Sequence, residues 1–143
     1  MCLVLYIGSN QPSPLIPWHE EAPAFHVIDL PDDAQAVRNH LAEPFVYYAG
    51  SYERCGCAFN FGHEYPDYED EPSELLAAEQ SRNDLINYLS RALPKSGSMK
   101  IFSCWANEET KAPEAFRTVT PAALGATDFV FQTPELITIE TGA

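Results

Sequence analysis

Residues 2 to 7, CLVLYI, are apolar without interruption, and Val4 and Ile7 are β-branched. A strand sends successive side chains to opposite faces of its sheet, so a run that is apolar at every position is stable only where both faces are covered. The run therefore predicts a central strand, with Gly8-Ser9-Asn10 as its stop. Such a strand needs other strands beside it and helices over it, which is an α/β arrangement.

Working outward, residues 11 to 23 hold Pro12, Pro14, Pro17 and Pro23. Each proline fixes its own φ and lacks a backbone donor, so the segment reads as a surface loop, pinned by Trp18. Phe25 to Leu30 suits a second strand. Pro31-Asp32-Asp33 then opens a helix that ends near Leu41, with Asp32 and Gln35 at the spacing of a capping box. Phe45 to Tyr48 is rich in β-forming residues and is ended by Gly50. The clearest helix runs from Ser73 to Leu93, where Leu75, Leu85, Ile86, Leu89 and Leu93 form one stripe. Met99 to Trp105 is the strand that follows, and strand, helix, strand predicts a right-handed crossover between parallel neighbours. RTVTP (117–121), DFVFQ (128–132) and ELITIE (135–140) read as short strands with antiparallel pairing at one edge. The expectation is one α/β domain over residues 1–143: a sandwich with a mixed sheet, two principal helices and an antiparallel C-terminal strand region.

Charge narrows the partners. Eight Lys plus Arg stand against 21 Asp plus Glu among 143 residues, a formal charge of −13. That surface repels nucleic acid and anionic membranes and favours cationic partners, metal ions or, as the leading expectation, simply solubility. No Lys or Arg precedes Arg38, and the apolar opening is too short for a signal-peptide core or a membrane span, so the expected compartment is cytoplasmic. There the four cysteines stay reduced.

Chemistry concentrates at residues 55 to 63, CGCAFNFGH. In an extended segment residues i and i+2 point the same way, so Cys55 and Cys57 can offer both sulfurs to one ion. His63 and Cys104 complete the candidate ligand set, Cys2 is a further donor, and zinc is the cofactor such a set suits. The spacing is C-x-C, however, where zinc knuckles carry C-x2-C. Gly56 also permits a close approach for thiol–disulfide exchange, and buried cysteine needs no partner at all, which makes core packing the leading expectation for these thiols. Residues 64 to 74, EYPDYEDEPSE, concentrate acids ahead of the long helix, where they complement its dipole; the D-x-[DN]-x-[DN]-G order of a calcium loop is lacking. No P-loop, dinucleotide glycine pattern or G-x-S-x-G elbow occurs, and no residue is assigned a catalytic or cofactor-binding role.

Two resemblances attach to these motifs. Cys2 followed by an apolar strand resembles the opening of class II glutamine amidotransferases, which would imply Cys2 as an N-terminal nucleophile. Against that family's pattern, no Asn-Gly pair is present, the nearest approach being Asn60-Phe61-Gly62, and the chain is short for its four-layer sandwich. The MCLVLYI opening combined with the later CGC-x-F segment resembles short uncharacterised bacterial proteins, a likeness that implies a bacterial cytoplasmic setting and no activity. The leading functional expectation is a small, non-enzymatic binding domain that recognises a basic protein through Trp18, Tyr65 and Tyr68. The alternative is a cysteine-dependent metalloprotein or thiol-redox protein centred on Cys55, Cys57 and His63.

Overall fold

In the computed structural model, which describes residues 2–60 and 72–141, the opening run becomes strand β1 (Leu3–Ser9), buried at every position. It pairs antiparallel on one side with β3 (Phe45–Gly50) and on the other with β4 (Met99–Trp105), so that Tyr6 faces Tyr48 and Phe102. With β2 (His26–Asp29), β5 (Ala115–Val119) and β6 (Glu135–Ile139) the sheet runs β2-β3-β1-β4-β6-β5.

Period-two alternation along β1 explains the two covering layers. Leu3, Leu5 and Ile7 enter one cluster with Leu85, Leu89 and Leu93 of helix α1 (Pro72–Ser96). Val4 and Tyr6 enter another, with Ala34, Val37 and Leu41 in and just beyond the 3-10 helix Asp32–Asn39. Leu5 and Ile7 are fully buried, each contributing about 1.5–3 kcal/mol. The mixed-sheet α/β fold is thus the one the opening strand demanded. Among the described residues, no helix is long and apolar enough to cross a membrane.

Several local expectations are corrected. Strands β3 and β4 both run antiparallel to β1 and hence parallel to each other, but they are not neighbours. The strand apolar at every position lies between them, and all three strands send side chains into both core layers. Of the C-terminal strands, β6 is antiparallel to β4, whereas β5 is parallel to β6 and forms the edge. DFVFQ forms no strand. Phe129 and Phe131 are both buried, and the Asn60 side chain takes the role of a neighbouring strand: its Oδ1 accepts from Phe131 N–H at 2.9 Å and its Nδ2 donates to Phe131 O at 3.1 Å. The capping box is not made. The first helix is a 3-10 helix behind Pro31 with no side-chain cap, and the Gln35 amide donates instead to Pro31 O at 3.3 Å. Helix α1 continues through Pro94 to Ser96, where Gly97, at φ 85°, donates its N–H back to Leu93 O. Leu75 leaves the predicted stripe and is 41% exposed.

Candidate metal centre

Strand β3 ends at Gly50, and the turn behind it is built around Ser51. The Ser51 N–H and hydroxyl both donate to Cys55 O, at 2.8 and 2.6 Å, and Ser51 O accepts the Arg54 N–H at 3.0 Å. Arg54 takes the left-handed conformation, φ 76°, and its carbonyl accepts the Tyr48 hydroxyl at 2.6 Å. Gly50 must be glycine here: a Cβ would fall 2.3 Å from the His26 ring and 2.4 Å from Arg54 O.

This turn is then stitched to the start of β1. Gly56 N–H donates to Leu3 O at 2.7 Å, and Leu3 N–H donates to Cys57 Sγ at 3.2 Å. Cys2, next to Leu3, is thereby drawn to the same spot. The sulfurs of Cys2, Cys55 and Cys57 all lie within 4.8 Å of one another, with Cys2 exposed and the other two half-buried. All three are free thiols. This group could hold a metal ion.

Of the candidate ligand set, Cys55 and Cys57 lie together, but not on the extended backbone expected: Cys55 sits in the turn and Cys57 opens the 3-10 helix Cys57–Asn60. Cys104 does not join them: it sits opposite Val4 in β4, fully buried beside Tyr6 and Phe102. Burial pushes its thiol up to about 12, so for this cysteine the core-packing expectation holds. Cys2 takes the third place instead. Its pairing with Cys57 depends on a strand-to-turn contact across the fold, and an apolar strand residue carries no sign of that. His63, Tyr65 and Tyr68 lie outside the described residues. Trp18 is half-buried against the same turn, its indole N–H donating to Tyr52 O at 3.1 Å and the Arg54 guanidinium stacked 4.2 Å over its ring.

The cluster concentrates charge on one sulfur. Cys57 is lowered to about 6, chiefly by the hydrogen bond from the Cys55 thiol; burial opposes the shift, and the Leu3 N–H and the Cys2 thiol reinforce it. Cys55 is raised by the same bond and by burial, so it keeps its proton while Cys57 carries the thiolate. In metal-free protein the rate of iodoacetamide reaction at Cys57 is expected to reach half its maximum near pH 6, and Cys55→Ala to move that midpoint upward. A midpoint near the ordinary 9, read by mass spectrometry of the alkylated peptide, would contradict the thiolate assignment.

His26 braces the turn from β2. It is 3% exposed, and desolvation lowers its pKa below the usual 6.5. A folded-state pKa below the unfolded one means that the unfolded chain binds the proton first, so this stability is complete above pH 6.5 and is lost as pH falls below it. Urea midpoints measured from pH 7 to pH 5 are expected to decline, and His26→Gln to flatten that decline; equal slopes in both proteins would refute it.

The molecule is a mixed-sheet α/β protein with a partly exposed cluster of three thiols where its central strand begins. The chain matches no family model, no curated protein and no solved structure.

Proposed function

We propose that this protein binds a soft cation, Zn²⁺ first, through the thiolates of Cys2, Cys55 and Cys57. The mutual approach of the sulfurs within 4.8 Å carries the reading. Zn–S bonds of about 2.3 Å place tetrahedral neighbours roughly 3.8 Å apart, so small side-chain rotations suffice to close the set. Calcium and magnesium take oxygen ligands and do not suit it. Three protein ligands leave a fourth position for water or another donor, for which His63 is the candidate in the sequence. A pre-ionised Cys57 lowers the cost of the first bond, because metal binding must otherwise expel a proton. The formal charge of −13 attracts cations, and a cytoplasmic setting keeps the thiols reduced.

The same lowered Cys57 favours a second reading, thiol–disulfide exchange in which Cys57 attacks an external disulfide and Cys55 or Cys2 then resolves the mixed disulfide, leaving an internal disulfide and two released thiols. Trp18, stacked under Arg54, offers a basic partner less surface than the sequence alone led one to expect. Elemental analysis of protein purified without chelator is expected to find one zinc per chain, and cobalt substitution to give thiolate-to-cobalt charge-transfer absorption. Metal-free protein whose melting is unaffected by chelator would end the metal reading; a free-thiol count of four after mild oxidation would end the redox one.

A further inference from the structure

Helix α1 and the proline-rich loop line an open cavity of about 580 Å³, inside the range of roughly 300–1,000 Å³ typical of small-molecule sites. Its apolar walls come from Pro12, Pro14, Ile16, Phe25, Tyr88 and Ala92. The wall formed by the loop is stiff. Its prolines fix φ, Ser13 N–H donates to the Tyr47 hydroxyl at 3.0 Å, the Tyr88 hydroxyl donates to Pro14 O at 2.8 Å, and Ile16 makes two backbone bonds of 2.9 Å with Val27. A preformed wall spares a ligand the cost of ordering it.

The polar side is supplied by α1. Asp84 accepts the Gln80 amide at 2.8 Å, and Arg91 and Lys95, one helical turn apart, stand at the other end. The other cations are engaged within the fold: Arg38 by Gln35, Arg54 by Trp18, Arg82 by Phe59 O, and Lys100, Lys111 and Arg117 by Glu43, Glu108 and Glu135. Among the described residues, Arg91 and Lys95 have neither hydrogen bond nor ion pair. Two unmatched cations beside an apolar cavity, in a chain of formal charge −13, are complementary to an anion with an apolar body. Asp84 lies seven residues, about 10 Å, along the helix from Arg91 and leaves the cationic pair unopposed, and a carboxylate is the simplest headgroup that pair takes.

We propose that this cavity binds an amphipathic monocarboxylate, its aromatic or branched aliphatic body against Ile16, Phe25 and Tyr88 and its carboxylate at Arg91 and Lys95. The site is independent of the thiols, and Cys57→Ser leaves it intact. Titration of the full chain with 1-naphthylacetate, followed by heteronuclear NMR, is expected to show saturable binding with shifts confined to the proline-rich loop, Phe25 and the 84–95 face of α1. The neutral counterpart 1-naphthaleneethanol is expected to bind at least tenfold more weakly. Arg91→Gln combined with Lys95→Gln, both exposed and outside the core, is expected to weaken 1-naphthylacetate at least tenfold while leaving the circular dichroism unchanged. Absence of binding, shifts away from this cavity, or equal binding of acid and alcohol would each overturn the proposal.

Discussion

Adding Zn²⁺ to metal-free protein at about a hundredfold its Kd is expected to raise the melting temperature by roughly 10 °C. The figure follows from about 2.7 kcal/mol of linkage stabilisation and roughly 3–5 °C per kcal/mol for a domain of this size. Cys57→Ser is expected to abolish the shift, because it removes the sulfur that accepts hydrogen bonds from Leu3, Cys55 and Cys2. Cys104→Ala lowers the starting stability through a core cavity and keeps the zinc-induced rise, since Cys104 lies outside the cluster. Differential scanning fluorimetry with and without chelator separates the two. An unchanged melting temperature in the parent protein, or an equal rise in Cys57→Ser, would refute the three-sulfur site.

Arg82→Ala is expected to cost about 3–5 kcal/mol, the largest loss from any single polar side chain of α1. Arg82 is 8% exposed, and its guanidinium donates to the carbonyls of Phe59 and Phe129. Truncation strands those acceptors away from water and unties the 3-10 helix Cys57–Asn60 from α1. Zinc affinity should therefore fall with stability, because that short helix starts at a proposed ligand. Urea unfolding reads the first effect and competitive chelator titration the second. A loss below about 1 kcal/mol would show that these carbonyls find other donors.

How far the fold was legible depended on how many demands each residue met alone. The CLVLYI run required cover on both faces whatever surrounded it, and the structure supplies α1 and the 3-10 helix Asp32–Asn39 on opposite sides. Met99–Trp105 was predicted to its ends. DFVFQ has the composition of a strand, yet the Asn60 side chain satisfies the Phe131 backbone in place of a strand partner. No local pattern reports such a distant amide. The direction of β5 was equally hidden, since side-chain alternation is the same in parallel and antiparallel pairs.

The candidate site divides in the same way. The C-x-C pair could be read because proximity in the chain forces proximity in space, and a buried Cys104 in an apolar strand was the ordinary expectation for a thiol. Alone, the sequence determined a central strand, two covering layers, a net negative charge and a close thiol pair, all of which follow from short-range periodicity or composition. Tertiary structure alone decided that Cys2 is the third member of the cluster, because that depends on hydrogen bonds between β1 and the turn beyond β3, segments about fifty residues apart in the chain, whereas the charge on Cys57 is set chiefly inside the turn by the Cys55 thiol.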